Sequence, residues 1–170
     1  MSIEFEKVPF SEYRTARQRM KDCPDDETLK EEYKHIQLPK RDKKSSNSAE
    51  YIFLAPFTVS LTGLNSIWKG NLLSLESLQI KIPTGIKIVG DTKGWFLMCL
   101  PDENLGMNYG LYLWNTANTI DTDYRTDEGS NQIYCKISSI YNVYIVKGRA
   151  MMRGILLPYL KTDKDMQDED

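Results

Sequence analysis

Asp121 and Tyr124 stand three residues apart in the polar stretch Asn115-Thr116-Ala117-Asn118-Thr119-Ile120-Asp121-Thr122-Asp123-Tyr124-Arg125. The stretch reads as a strand, a tight polar turn and a return strand, which sets a carboxylate beside an aromatic ring. A carboxylate in that position can orient a water as a general base, and a ring can act as a platform under a sugar or a base. The same Asp, Thr and Asn side chains can also do no more than satisfy the backbone groups of a hairpin. The residues alone leave both readings open.

The elements that must position this turn are short strands. From Ala49 onward, runs rich in β-branched and aromatic residues recur every 8 to 12 residues: Tyr51–Ala55, Phe57–Leu61, Leu78–Ile82, Ile86–Val89, Trp95–Leu100, Leu111–Trp114, Gln132–Ile137, Tyr141–Val146 and Ile155–Leu157. Pro83-Thr84-Gly85, Gly90-Asp91 and Asp127-Glu128-Gly129-Ser130 supply turns between them. Such spacing, with no helices between, implies a sandwich, jelly roll or barrel. The near-continuous apolar run Tyr141–Val146 is expected to be covered on both faces. Gly63 to Asn71 is expected to form a longer loop or hairpin tip.

Residues 1–47 have a different pattern. Phe10, Tyr13, Arg17 and Met20 fall at helical spacing, with Ser11 placed to cap. Pro24 fits the first position of a second helix whose first turn carries Asp25, Asp26 and Glu27, where the helix dipole favours anions. Leu29, Tyr33 and Ile36 line one face of that helix, and Pro39 ends it. Lys40 to Asn47 is expected to be a linker loop. Residues 48–160 then form the β domain, and residues 161–170 an acidic, disordered tail.

Composition sets outer bounds. The 170 residues suit one domain with a sizeable core, and a formal net charge of -2 creates no field for nucleic acid or an anionic membrane. The basic cluster Lys40, Arg41, Lys43 and Lys44 has no aromatic interleaved with it and reads as a solvated loop. Cys23, Cys99 and Cys135 are odd in number and widely spaced, which argues for a reducing, cytoplasmic setting and against a disulfide framework or a zinc site. The single histidine, His35, supports neither a catalytic triad nor a histidine-rich metal centre. The ten tyrosines, spread over strands, are expected to serve packing.

Ser48–Phe53, Ile82–Ile86, Gly94–Met98, Leu105-Gly106, Tyr109-Gly110-Leu111, Asn115-Thr116, Ile120–Tyr124 and Gly154–Pro158 follow one another in the order and at roughly the spacing seen in the trimeric dUTPases (dUTP diphosphatases). The chain resembles that family over residues 36 to 160. The helical segment before Leu38-Pro39-Lys40-Arg41 is similar to that of phage and Gram-positive members. The resemblance implies a mainly β fold, a β-clip or jelly-roll barrel with a short N-terminal helical extension, assembled as a homotrimer.

For the site, the resemblance implies Asp121 as the water-orienting base and Tyr124 as the ring under the deoxyribose. Asn115, Ile120 and Gly106 are implied as further ligand contacts. Magnesium would enter only with a bound triphosphate, and no cofactor is otherwise required. Other positions depart from the family pattern. Ile52 occupies the position of an aspartate that steadies the magnesium shell, with Glu50 in the preceding small-glycine step. Pro101-Asp102-Glu103-Asn104-Leu105-Gly106 presents two carboxylates where phosphate donors are expected. Like charges about 5 Å apart repel by roughly 3 kcal/mol at an effective dielectric of about 20.

The fourth motif has become Arg149-Ala150 with Arg153 in place of a glutamine, and these arginines either meet an anion or form a charged strand edge. The glycine-rich C-terminal lid motif is missing from this sequence. The resulting expectation is a catalytically impaired dUTPase-like protein that binds a dUTP- or dUMP-like nucleotide or a regulatory protein. It would be of phage origin and act in the host cytoplasm, with no nucleic-acid or membrane partner. The alternative is a divergent, active dUTP diphosphatase.

Overall fold

The computed structural model describes residues 3–41, 48–68, 78–90, 94–114, 118–121 and 130–160. The order of elements is β1 (Ile3–Lys7), α1 (Phe10–Gln18), α2 (Asp26–Lys34), β2 (Lys40–Arg41), β3 (Glu50–Leu54), β4 (Val59–Leu61), α3 (Asn65–Trp68), β5 (Ile80–Pro83) and β6 (Ile86–Gly90). There follow β7 (Trp95–Pro101), α4 (Glu103–Tyr109), β8 (Leu111–Leu113), β9 (Asn118–Asp121), β10 (Tyr134–Ser139), β11 (Val143–Ile145) and β12 (Ala150–Pro158). The fold is mainly β, as the strand pattern predicts.

The strands pair antiparallel in four sheets: β2-β3-β12-β7-β9, β5-β10-β8, β1-β6 and β4-β11. Each sheet turns one row of alternate residues inward. Phe53, Leu97, Cys99, Ile120 and Met152 come from the five-stranded sheet, and Ile82, Cys135, Ile137, Leu111 and Leu113 from the three-stranded one. All are buried in a single core cluster. Gly154 lies between them with no room for a side chain, because a Cβ there would stand 2.9 Å from both Leu97 and Phe53.

The two long helices share this core. Tyr13 of α1 and Leu29 of α2 are buried and Tyr33 is partly buried, as the helical spacing predicts, whereas Ile36, expected on the second helix, is buried beyond the end of α2. Arg17 and Glu32 form a buried ion pair at 2.8 Å, and the Tyr13 hydroxyl donates to the same carboxylate. The Arg17 guanidinium also lies 3.8 Å from the centroid of the Phe57 ring, which ties the helices to the β3–β4 connection. Lys7 Nζ donates to the carbonyls of Tyr33 and Lys34 at the end of α2, the first of which also accepts from the Ile36 amide.

Several local expectations are corrected. Ile3–Lys7 is a strand rather than part of a helical segment, and it pairs along its length with β6. Pro24 lies outside α2, whose N-cap is Asp25, accepting from the Thr28 amide at 2.8 Å. Ser11 lies within α1, which starts after Pro9 and has no side-chain cap. Lys40 and Arg41, expected in a linker, form β2 against β3. The run Tyr141–Val146 alternates: Val143 and Ile145 are buried, while Tyr141, Tyr144 and Val146 are exposed, so one face of β11 is open. Helix α4 breaks the expected all-strand pattern, and Asn65–Trp68 makes a helical turn within the expected loop. The acidic tail at 161–170 and most of the basic stretch after Arg41 lie outside the described residues.

Candidate functional site

Strand β9 carries the outgoing arm of the polar turn at the edge of the five-stranded sheet. Ile120 lies opposite Leu97 and is buried in the core rather than presented to a ligand. Asp121 alternates to the other face, opposite Phe96, and is exposed. Asn115 and Tyr124 lie outside the described residues.

A cleft of about 1000 Å³ opens where β3, α4, β11 and β12 converge. Ile52, Glu103, Tyr109, Tyr144, Arg149 and Arg153 are among the residues that line it. Three segments far apart in sequence, around residues 50, 105 and 150, thus meet at one place. Gly106 lies in α4 but not in the cleft wall, and a Cβ there would make only an ordinary 3.6 Å contact with the Leu111 carbonyl oxygen.

Most charges of the cleft, though not Arg149, have partners within the chain. Arg153 Nη1 lies 2.9 and 3.0 Å from the two Glu50 oxygens, and its Nε donates to the Pro101 carbonyl at 3.3 Å. Glu103 stands 3.9 Å from the same guanidinium and is largely exposed. Asp102 is the N-cap of α4 and accepts from the Leu105 amide at 3.2 Å. Arg149 is exposed in the turn before β12, held by its backbone: its amide donates to Val146 and its carbonyl accepts from Ala55. Its side chain has no carboxylate partner among the described residues. Three carboxylates, of Glu50, Asp102 and Glu103, therefore face two guanidiniums in the cleft.

The predicted residues divide between two places. Arg149 and Arg153 come together, whereas Asp121 does not line their cleft. Arg153, Leu157, Phe96 and Asp121 lie on one face of the sheet, with Asp121 two strands and four residues from Arg153, or roughly 16 Å by strand spacing and rise. Sequence reasoning did not anticipate the Glu50–Arg153 pair or the exposed rings of Tyr109 and Tyr144. A strict alternation test on Tyr141–Val146 would have found Tyr144.

No group of three or more His, Cys, Asp or Glu residues that could hold a metal occurs among the described residues. Ile52 lines the cleft where the resemblance asks for a magnesium-supporting carboxylate, and it has no oxygen to offer. The residues present do not fit protein-supported magnesium.

The sequence matches no family model and no curated protein. The architecture has many counterparts. The dUTPase from Streptococcus mutans superposes with a TM-score of 0.60 at 20% identity, over 94% of this chain and 98% of that one. The chain has the dUTPase fold. A variant of the Staphylococcus bacteriophage 80alpha dUTPase, solved with dUpNHpp, gives a TM-score of 0.60 at 10% identity over 95% of this chain and 93% of that one. The EIAV dUTPase gives 0.53 at 17% identity over 74% and 86%. The dUTPase fold is thus retained around a cleft in which one of two arginines, Arg153, is paired internally.

Proposed function

We propose that this dUTPase-fold protein binds a nucleotide, or a regulatory protein, without hydrolysing dUTP at a useful rate. The observation that carries the reading is the ion pair of Arg153 with Glu50 inside a cleft where carboxylates outnumber guanidiniums. A triphosphate entering there would have to displace Glu50 and would meet the largely exposed carboxylate of Glu103. Asp121, with Asn115 and Tyr124, would supply the nucleoside end of the site from the β9 hairpin of a neighbouring subunit.

A homotrimer suits this division, because Asp121 and the two arginines lie too far apart in one chain to act on one phosphate. The half-buried apolar residues Ile52, Phe96, Met98, Leu100, Ile155 and Leu157, on the same sheet face as Arg153, offer a surface for association. We also propose a phage origin and a cytoplasmic setting; among the structural neighbours, phage dUTPases control transfer of virulence genes by a proto-oncogenic G protein-like mechanism.

One observation favours a second reading, an active dUTP diphosphatase. Arg149 lines the cleft, exposed and without a carboxylate partner among the described residues, so it is available to a phosphate. Calorimetric titration with dUTP, dUpNHpp and dUMP in the presence of magnesium, with pyrophosphate release assayed in the same samples, separates the two. Binding without release supports the proposal. Release abolished by Asp121→Asn establishes the enzyme instead.

A further inference from the structure

The outer face of the sheet β5-β10-β8 places two lysines directly opposite one another, since Lys81 and Lys136 are cross-strand partners. Like charges directly opposed destabilise an antiparallel pair. Neither lysine has a carboxylate within ion-pair distance among the described residues. Each ammonium instead rests against an aromatic ring: Lys81 Nζ is 4.1 Å from the Tyr134 centroid, and Lys136 Nζ is 4.6 Å from that of Trp114. Burial pushes the Tyr134 hydroxyl above its usual pKa range, against the lowering effect of Gln132, Ser130 and Arg19 beside it.

Trp114 is pinned rather than loose, since its Nε1 donates to Ser138 Oγ at 2.6 Å, and that hydroxyl donates onward to the Leu78 carbonyl at 2.7 Å. Tyr112, two residues earlier and opposite Ser138, is exposed beside it. The other face of the same strands is core, with Leu111, Leu113, Cys135 and Ile137 all buried. Stacking surface and uncompensated positive charge therefore coincide on one fixed platform. Residues i and i+2 of a strand stand about 6.7 Å apart, close to twice the 3.4 Å rise per nucleotide of a stacked strand.

We propose that this face binds single-stranded nucleic acid, its phosphates meeting Lys81 and Lys136 and its bases stacking on Tyr112 and Trp114. Electropositive surfaces interleaved with aromatic rings bind single strands with little sequence preference. The linear sequence hides the platform, because its residues come from three strands. The expectation of no nucleic-acid partner rested on the net charge of -2, on the tyrosines serving packing and on the contiguous basic run after Pro39 having no aromatic within it. The surface is separate from the cleft, so this inference stands or falls independently of the proposed function.

The test titrates the full chain with a single strand of fifteen thymidylates at low salt and follows tryptophan fluorescence. The expected result is quenching that saturates in the micromolar range and weakens with salt, at a log–log slope of about −1.4 for two phosphate contacts. Lys81→Glu and Lys136→Gln should each weaken binding about tenfold while leaving the melting temperature unchanged or raised. Trp114→Phe should keep most of the affinity and lose most of the quenching. The inference is overturned if affinity is the same in both lysine variants. It is equally overturned if dUMP alone gives the same quenching, or if phosphatidylserine vesicles bind and the oligonucleotide does not.

Discussion

Arg153 of β12 and Glu50 of β3, 103 positions apart in sequence, form an ion pair across adjacent strands, with Nη1 at 2.9 and 3.0 Å from the two carboxylate oxygens. The pair is diagonal, since Arg153 lies opposite Ile52 and Glu50 opposite Ile155. It keeps the Arg153 guanidinium engaged by a carboxylate inside the cleft. Replacing Glu50 by Gln should release it. We expect dUpNHpp to bind about tenfold more tightly to the variant, the order of one charge-assisted hydrogen bond, at a stability cost of about 1 kcal/mol or less. Calorimetry against the unaltered protein checks this, and unchanged or weaker binding would mean that Arg153 does not face the phosphates.

Asp121 sits exposed at the end of an edge strand, so Asp121→Asn should alter stability by no more than about 0.5 kcal/mol. Any loss of nucleotide affinity in that variant then reports on the ligand. A drop in the melting temperature of several degrees would instead assign Asp121 to the fold.

The Arg17–Glu32 pair is a structural counterpart to the one in the cleft. Both residues are buried, and Tyr13 shares the carboxylate. Arg17→Met strands Glu32 without its cation and should cost about 3–5 kcal/mol in urea denaturation. Adding Glu32→Gln to Arg17→Met should recover a good part of that loss. Equal instability of single and double variants would show that Arg17 acts through its packing on Phe57.

Alkaline pH should expose the buried thiols. Burial pushes Cys99 up from 9.0 to about 12, and Cys135 also upward, with Cys99 beside it as a second cause. Their folded-state pKa values are raised, so their contribution is full below about pH 9 and is lost as pH rises towards 12, because only the unfolded chain ionises. Each thiol should add a slope of about 1.4 kcal/mol per pH unit in that window. Cys99→Ala should flatten the curve measured between pH 9 and 10.5, and an unchanged slope would contradict the burial of that thiol.

Assembly has its own check. Light scattering coupled to size exclusion should give about three times the 19.7 kDa chain mass. A monodisperse monomer would remove the neighbouring subunit that the division of Asp121 from Arg153 calls for.

Much of the β architecture was legible, because runs such as Trp95–Leu100 and Ile86–Val89 combine β-branched and aromatic residues between clear turns. Helix α4 was not. Its sequence Glu103–Tyr109 buries no residue and contains Gly106, so it has no apolar periodicity to read; it is held by the Asp102 cap and by Gly110, at φ 60. Strand β1 does alternate, with Glu4 and Glu6 exposed, but its five residues adjoin a helix and the strand it joins lies far along the chain. At the site, the segments were legible and their pairings were not. Nothing local to Glu50 indicates that Arg153 will neutralise it, since that contact depends on the registry of β3 with β12.

The pairing of β1 with β6 has a consequence for the chain as it is made. Ile3–Lys7 cannot find its partner until Ile86–Gly90 has been synthesised, a delay of roughly 4–17 s at 5–20 residues per second. Until then Phe5 lacks both its strand neighbour and, for most of that time, the rings of Tyr51 and Phe53 that it later packs against. Helices α1 and α2 have their mutual contacts Tyr13, Arg17 and Glu32 within reach much sooner. The order of synthesis therefore favours a helical hairpin that forms first and a leading strand that closes over the barrel late. A change within Ile3–Lys7 would therefore act on a step that follows the pairing of the helices rather than on that pairing itself.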